Sequence, residues 1–230
     1  SWQFAYMFQL FLAGRAEDSL ILLKKTGIHH LPYAISFMNY YMEIHYEQGV
    51  KNIIHFLIQN MKEYFEEASY DDKQHLADEL DEISYQYAKE TDHYDLYEQL
   101  LITMFPFTAR ALSSLYFERK EYGKLMDFLQ ITNNGYLSSE ILRTIQKEDP
   151  KYLLPYYHRK VQQAIEQKNR KSYKEAVRDL KKLRTIYKKI KKEETWKQFF
   201  DQLLEETKRL RAFQEECQRG KLIDVEDETA

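Results

Sequence analysis

The stretch YKEAVRDLKKLRTIYKKIKKEETW, residues 173–196, indicates the fold most clearly. Its apolar residues recur at intervals of three and four, the spacing that brings side chains to one face of an α-helix. The thirteen charged residues between them then face solvent. The pattern predicts a long amphipathic helix whose apolar seam consists of Tyr173, Ala176, Leu180, Leu183, Tyr187 and Ile190.

A second helix with a matching seam follows the first. Glu206 interrupts this seam, and we expect Thr207 to take the inward position instead. The two helices should fold back on each other as a long antiparallel hairpin. Two capping boxes predict where the helices begin: Ser172 with Glu175, and Thr195 with Gln198. The second seam consists of Trp196, Phe199, Leu203, Leu210, Phe213 and Cys217.

The rest of the chain has the same helical character. With only six glycines and four prolines, long helices are favoured, and 43% hydrophobic residues are enough for a sizeable core. The sequence predicts an all-α fold, an irregular stack of antiparallel helix pairs like a tetratricopeptide-type α-solenoid, which ends in the long hairpin. A compact bundle of the same helices is the alternative. Five helix junctions look alike, at residues 11–23, 45–57, 87–101, 116–129 and 165–180.

Charge divides the chain into three regions. Residues 1–150 hold 13 Lys and Arg against 23 Asp and Glu, a net charge of −10, and we assign them to an acidic helical-repeat region. Residues 151–220 hold 20 against 10, a net charge of +10, and form the basic hairpin. Residues 221–230 are predicted to be a disordered acidic tail. One helix of the acidic region is markedly acidic on the side opposite its apolar residues, Leu76, Leu80, Ile83 and Tyr87.

Cysteine usage and hydropathy indicate the compartment. A single cysteine, Cys217, excludes an intramolecular disulfide framework and a zinc site of several thiolates, which suits a reducing cytosol. No apolar run approaches the roughly 18 residues of a membrane span, and no leader is recognisable. We expect a soluble cytoplasmic protein. Because the sequence is already helical in rhythm at Ser1, without a cap or an initiator methionine, we also expect a segment of a longer protein.

The polar side of the first hairpin helix is the candidate binding surface, because its cations outnumber nearby acids. Three interpretations remain open. The cations form a solvated helix face, partly paired with Glu205 or Glu206; they track phosphates without reading bases; or they contact an acidic partner, including the acidic half of this chain. The candidate phosphate or acidic-partner contacts are Lys171, Lys174, Arg178, Lys181, Lys182, Lys188, Lys189 and Lys192.

The sequence offers little that could carry catalysis. Walker, nucleophile-elbow and dinucleotide-binding motifs do not occur. Two carboxylate–histidine pairs have the spacing found in di-iron bundles, Asp72 with His75 and Glu90 with His93. We interpret both as surface residues and caps, because no further glutamates stand on facing apolar stripes. We predict no catalytic residue, no metal ligand and no cofactor in this chain.

The nineteen tyrosines have two possible roles. A tyrosine ring buries area while its hydroxyl reaches water or a backbone carbonyl, so core packing is the role we expect. The alternative is a ligand groove lined by Tyr40, Tyr41 and Tyr46, or by Tyr156 and Tyr157.

Two segments near the carboxy terminus carry a family resemblance. Residues 157–190 contain a KNR turn and a Tyr-Lys-x-Ala helix start, and residues 208–223 contain an RAF segment. Together with Trp196, they resemble the carboxy-terminal helical region of bacterial SWIM zinc-finger proteins. In that family three cysteines and one histidine nearer the amino terminus hold zinc, and the finger mediates contacts with DNA or proteins. Because Cys217 is the single cysteine, the resemblance implies the helical part of a larger protein, with zinc only outside this chain.

These observations predict a non-catalytic interaction or scaffold module that binds a protein partner. Sequence-tolerant nucleic-acid binding through the basic hairpin is the alternative, and a cryptic metal-binding protein or enzyme is a second alternative. We expect neither a membrane contact nor a small-molecule substrate.

Overall fold

The computed structural model describes residues 2–25, 31–132 and 137–223. Within these ranges the chain forms thirteen α-helices and no β-strand, so the predicted all-α fold is confirmed. None of the described helices is long and apolar enough to span a membrane. The helices are α1 (Trp2–Leu12), α2 (Ala16–Lys25), α3 (Tyr33–Glu43), α4 (Glu47–Glu67), α5 (Tyr70–Thr91), α6 (Tyr94–Thr103), α7 (Ala109–Glu118), α8 (Tyr122–Ile131), α9 (Ser139–Glu148), α10 (Leu154–Glu166), α11 (Arg170–Lys189), α12 (Glu193–Glu206) and α13 (Arg211–Arg219).

The chain divides into two compact units, an amino-terminal unit, Ser1–Glu118, and a carboxy-terminal unit, Arg119–Ala230. In the first unit α1 packs on α2, α3 on α4, and α6 on α4, α5 and α7. In the second unit α11 is the central helix and contacts α10, α12 and α13. The structural division therefore comes before the charge boundary at residue 150. The solenoid arrangement stays a prediction, and the expected tail lies outside the described residues from residue 224 onward.

The five similar junctions share one backbone geometry. Each contains one residue with a positive φ, and the next helix begins two residues later. The Arg15 N–H donates to the Leu10 carbonyl and the Tyr46 N–H to the Tyr41 carbonyl, both at 2.9 Å, which closes the end of each helix. A sixth turn, between α11 and α12, has the same form. The positive-φ residues are Gly14, His45, Asp92, Lys120, Lys168 and Lys191.

Side-chain caps start several helices, but not at the predicted boxes. The Asn169 side chain accepts a hydrogen bond from the Ser172 N–H at 3.0 Å, so α11 begins before Ser172, which is buried inside the helix. α12 begins at Glu193, before the expected Thr195, and Lys192 makes no side-chain cap. Both predicted boxes are therefore wrong. The cause in α11 is a competing cap residue three positions upstream.

The seam of α11 is buried as predicted, except that Ile190 is half-buried. The second arm differs from the expected continuous helix, because the chain turns after α12 and starts again as α13. Thr207 is buried, as expected, and its hydroxyl donates to the Leu203 carbonyl at 2.6 Å. A continuous helix would bring Glu206 into the seam. The turn leaves Glu206 exposed and returns Phe213 to the core.

Candidate functional site: two charged surfaces

The eight candidate cations form what we call the basic face, which includes seven residues of α11 and Lys192 in the following turn. All eight are exposed, because the buried seam of α11 points the other way. Lys174, Lys181 and Lys188 are seven residues apart. They therefore form a row along α11, with about 10 Å between successive Cα atoms at a rise of about 1.5 Å per residue.

Several members of the basic face already have partners in the molecule. Arg178 Nη2 lies 3.8 Å from Glu175 Oε1, and Lys189 Nζ donates to the Gln146 carbonyl at 2.9 Å. The expected pairing with Glu205 or Glu206 does not form, because these acids bind Lys208 and Gln202. Among the residues that the structure describes, six cations of the basic face have no carboxylate within 4 Å: Lys171, Lys174, Lys181, Lys188, Lys189 and Lys192.

A shallow cleft of about 280 Å³ between α10 and α11 borders the basic face. At its floor the Asp179 carboxylate is buried, 3.0 Å from Lys182 Nζ and 3.8 Å from Lys160 Nζ. Lys182 also lies over the Tyr157 ring, 5.0 Å from its centre. Burial, with the Asp179 charge, raises the pKa of Tyr157 to about 12. This end of the basic face is thus compensated by an internal acid, and Lys160 is a cation that the sequence did not single out.

A larger cleft of about 530 Å³ lies among α5, α6 and α7 in the amino-terminal unit. Its lining combines the rings of Tyr85, Tyr97 and Phe107 with several carboxylates, and Arg110 is the one cation among the described residues that line it. We call it the acidic cleft, after its four carboxylates from Asp78, Asp81, Glu82 and Glu118.

Asp81 is the most buried of the four carboxylates. It is half-buried and accepts a hydrogen bond from the buried Tyr97 hydroxyl, whereas the other three are exposed. Burial raises the pKa of Asp81, and the neighbouring charges of Asp78 and Glu82 add to the rise, while the hydrogen bond from Tyr97 opposes it. The balance indicates a carboxylate that lacks a compensating cation.

Two of the other acids of the cleft have polar partners. The Tyr85 hydroxyl donates to Glu118 Oε2 at 3.0 Å, and Gln74 Nε2 donates to Asp78 Oδ1 at 2.8 Å. Across the described ranges, no Lys, Arg or His nitrogen lies within 4 Å of any of the four carboxylates. The acidic cleft is therefore a concave surface with uncompensated negative charge.

Some of the residues that line this cleft could be predicted from the sequence. Asp81 and Glu82 follow Asp78 by three and four residues, so the three acids lie on one side of α5. The sequence pattern predicted that this side is acidic. Glu118 and Tyr97 join them only through the packing of α6 and α7, which the spacing within α5 does not encode.

The two carboxylate–histidine pairs do not come together as ligands. Asp72 Oδ2 accepts from the Ser69 hydroxyl at the start of α5, and His75 Nε2 lies 3.5 Å from Glu79. His93 Nε2 lies 2.9 Å from Glu47 Oε1, whereas Glu90 accepts from Gln86. Within the described part of the chain, no group of three or more His, Cys, Asp or Glu side chains could hold a metal ion.

The remaining candidates for reactive chemistry lie in different surroundings. Cys217 is buried, and burial raises the pKa of its thiol to about 12, so the thiolate is scarce at neutral pH. His158 Nε2 lies 2.9 Å from the Tyr187 hydroxyl, and burial lowers the pKa of this histidine. Tyr156 and Tyr157 are buried, which confirms core packing for these two tyrosines.

Part of the chain is similar to a protein of Bacillus subtilis (strain 168) named Uncharacterized protein YwqB. The two are 42% identical over 144 residues, which is 61% of this chain and 26% of that protein. The chain therefore spans about a quarter of the length of this relative. No family model matches the chain, and no solved structure matches it.

Proposed function

We propose that the chain is a non-catalytic interaction module whose acidic cleft binds a basic segment of a protein partner. The observation that carries the proposal is a cleft of about 530 Å³ that holds four carboxylates, none of which has a cation of the described residues within 4 Å. Clefts of one charge sign with low-dielectric walls focus the electrostatic potential and attract ligands of the opposite sign. An arginine or lysine side chain supplies the missing charge.

The lining of the cleft adds support for arginine in particular. The rings of Tyr85 and Phe107 line the same cleft as the Asp81 carboxylate. A guanidinium group can stack on an aromatic ring while it donates hydrogen bonds to a carboxylate, which an ammonium group does less well. The amino-terminal unit as a whole holds 8 Lys and Arg against 18 Asp and Glu, a net charge of −10, so its long-range field also favours a basic partner.

A binding measurement with a defined probe tests the proposal. The probe is a short fluorescein-labelled peptide of alternating arginine and alanine, and fluorescence anisotropy reports its affinity at low and high salt. We expect the triple change Asp78→Asn, Asp81→Asn and Glu82→Gln to weaken binding roughly tenfold at low salt, because it removes the focused charge. The matched control removes the same charge from exposed positions of α4: Glu63→Gln, Glu66→Gln and Glu67→Gln.

The control decides between a site and a bulk charge effect. If the α4 variant weakens binding as much as the cleft variant, net charge alone attracts the peptide and the cleft is not the site. Absence of binding to the unaltered chain at low salt also excludes the proposal.

Sequence-tolerant nucleic-acid binding through the basic face is the second candidate function. The row of Lys174, Lys181 and Lys188 favours it, because these exposed cations have no carboxylate within 4 Å among the described residues. Lysines on a helix face neutralise phosphates without contacting base edges. Such binding would be weakened strongly by salt.

The structure selects which lysines to change in the test of this candidate. Charge reversal of Lys174, Lys181 and Lys188 leaves the contact between Lys182 and Asp179 intact, whereas reversal at Lys182 would place two acids together. Affinity for duplex and single-stranded DNA is measured at two salt concentrations. We expect loss of binding in the triple Lys→Glu variant and retention in a variant with three reversals elsewhere, at the exposed residues Lys25, Lys62 and Lys89. Equal losses in both variants, or no binding by the unaltered chain at low salt, exclude the basic face.

We also propose that the chain is the helical part of a larger cytoplasmic protein of the SWIM zinc-finger type, with zinc held outside this chain. The resemblance over residues 157–223 supports this proposal, and so does the length of the relative from Bacillus subtilis. Metal analysis of the purified chain tests the absence of a metal or cofactor. Stoichiometric zinc or iron would favour the alternative of a metal-binding protein or enzyme.

A further inference from the structure

A second cleft of the amino-terminal unit, with a volume of about 630 Å³, lies among α1, α2, α3 and α4. We call it the aromatic cleft. Its lining includes the rings of Phe11, Tyr40, Tyr41 and Tyr46. The three tyrosines are those that the sequence offered as one of two possible ligand grooves. Tyr41 is buried, as core packing requires, but Tyr40 is half-buried and Tyr46 is exposed. Core packing therefore accounts for Tyr41 alone.

Large apolar side chains are left accessible in this cleft. Leu12, Ile44 and Tyr46 have exposed fractions of 50%, 50% and 47%. Single exposed apolar residues are ordinary on protein surfaces, but a group of them in one concavity is typical of a binding site. A side chain that covered them would remove apolar surface from water, which is the main favourable contribution to binding at such sites.

Tight packing preforms the wall of the aromatic cleft. The Phe11 and Tyr41 ring centres are 4.3 Å apart, and the Tyr41 and Tyr46 rings meet edge to face with centres 5.0 Å apart. A Cβ atom at Gly49 would clash with the Tyr41 and Tyr46 rings, so a larger residue there would have to displace them. A preformed wall requires little ordering when a ligand binds.

The rim of the cleft is negative. Arg15 Nε lies 2.7 Å from Asp18 Oδ2, so this pair is neutral overall. Glu17 also lines the cleft, and it forms no ion pair with any described residue of the chain. Charge complementarity therefore requires a ligand that combines an apolar group with a cation. An anionic lipid surface does not fit, because the rim and the net charge of this unit would repel it.

We propose that the aromatic cleft binds a large apolar or aromatic side chain of a partner polypeptide, with a neighbouring lysine or arginine next to Glu17. This inference rests on the proposed function, because the partner is the one whose basic segment enters the acidic cleft. It adds a second requirement to that partner, an apolar anchor within the basic sequence.

Two matched peptides test the inference on the full chain. Both contain the same arginines, and one has phenylalanine where the other has alanine. We expect the phenylalanine peptide to bind roughly tenfold more tightly, because its ring is buried in the cleft. NMR spectra of a chain with ¹³C-labelled leucine and isoleucine methyl groups locate the contact. The methyl signals of Leu12 and Ile44 should shift with the phenylalanine peptide, whereas those of the exposed Ile102 and Ile131 should not.

A pair of variants and a third peptide complete the test. Ile44→Ala should reduce the advantage of phenylalanine over alanine, and the control Ile102→Ala should leave it unchanged. Equal affinity of the two arginine peptides, or equal shifts at Ile44 and Ile102, would overturn the inference and leave the acidic cleft untouched. An uncharged phenylalanine peptide separates the two proposals. If no arginine peptide binds, methyl shifts at Ile44 with the uncharged peptide retain the aromatic cleft, and their absence overturns it.

Discussion

The acidic cleft of the amino-terminal unit and the basic face of the carboxy-terminal unit hold their charges in different surroundings. In sequence the two regions look equivalent, with net charges of −10 over residues 1–150 and +10 over residues 151–220. In the structure, the acids gather in a concavity beside aromatic rings, and Asp81 is half-buried. The lysines of the basic face are exposed along α11, and Lys182 and Lys189 also contact other residues of their unit.

This difference matters because water weakens electrostatic attraction. Two charges interact several times more strongly near a protein surface of low effective dielectric than in bulk water. Exposed cations are also screened by salt beyond about 8 Å at physiological ionic strength. Equal formal charge therefore does not imply equal capacity for binding. For this reason we assign the partner contact first to the acidic cleft and only second to the basic face.

The largest change in the free energy of unfolding is predicted within α11, where a buried seam and a solvated basic face lie on opposite sides of one helix. Leu180 is fully buried, and its neighbour Lys181 is exposed. We expect Leu180→Ala to lower the free energy of unfolding by about 2–5 kcal/mol, because it leaves a cavity. Lys181→Ala should change it by no more than about 0.5 kcal/mol. Urea unfolding followed by circular dichroism measures both, and comparable losses would mean that Lys181 is part of the packed structure.

The next prediction compares a glycine in each unit. Gly49 is in contact with two aromatic rings, whereas a Cβ atom at Gly123 in α8 would lie 3.5 Å from Tyr152, an ordinary contact distance. We expect Gly49→Ala to destabilise the protein by about 1–3 kcal/mol through overpacking. Gly123→Ala should be neutral or stabilise it by up to about 1 kcal/mol, because alanine favours the helix. Thermal unfolding distinguishes the two, and a tolerated Gly49→Ala would show that the aromatic wall adapts.

A smaller effect concerns the opposite responses of two carboxyl groups to pH. Burial raises the pKa of Asp81 in the acidic cleft. The folded state therefore binds the carboxyl proton of Asp81 more tightly than the unfolded state does. Protonated Asp81 makes its full contribution to the free energy of unfolding below the unfolded pKa. This contribution is lost as the pH rises through the folded pKa. We therefore expect Asp81→Asn to become more stable relative to the unaltered chain as the pH rises from below the unfolded aspartate pKa of about 3.9 through the higher folded pKa.

Glu216 in the carboxy-terminal unit should respond with the opposite sign. The hydrogen bond from Arg170 at 2.9 Å lowers the pKa of Glu216, which is buried beside that guanidinium. Its contribution to stability is present above the unfolded pKa and is lost as the pH falls through the folded pKa. Glu216→Gln should therefore lower the free energy of unfolding near neutral pH and have almost no effect on it in acid. Urea midpoints of both variants from acid to neutral pH provide the measurement, and curves of the same sign would contradict the contrast between these two carboxyl groups.

Much of the fold could be predicted from the sequence, because a spacing of three and four residues directly determines which side chains share a helix face. The seam of α11 and the inward position of Thr207 follow from that rule. The helix starts could not be resolved in the same way. Asn169 and Ser172 are both good cap residues, and the choice between them depends on burial of Ser172 against other helices.

The candidate sites were less accessible to sequence reasoning. Exposure of the α11 lysines follows from the same spacing, because they alternate with the seam. The neutralisation of Lys182 by Asp179 is a local contact three residues apart, but the approach of Lys160 from α10 is not. The acidic cleft requires Glu118 and Tyr97 to reach α5 from other helices. Such groupings depend on tertiary packing, for which a single sequence contains no regular signal.

The smallest predicted effect concerns the turns that both units share. In these turns the positive-φ residues are Gly14, His45 and Asp92 in the amino-terminal unit, whereas in the carboxy-terminal unit they are Lys120, Lys168 and Lys191. A side chain at positive φ is strained by its Cβ atom, whereas glycine is not, and aspartate tolerates this conformation better than lysine. The turns of the carboxy-terminal unit are therefore more strained than those of the amino-terminal unit.

Matched substitutions by glycine measure this strain. Lys191 has a φ of 57° in the turn before α12, and we expect Lys191→Gly to stabilise the protein by about 0.5–1 kcal/mol, because relief of the Cβ clash exceeds the entropy that glycine adds to the unfolded chain. Asp92→Gly should have less effect. Lys181→Gly, within α11, should instead destabilise by about 1 kcal/mol. Urea midpoints decide the sign: if glycine at Lys191 is as unfavourable as glycine at Lys181, interactions of the lysine side chain in the turn outweigh the strain, and the two units do not differ in this respect.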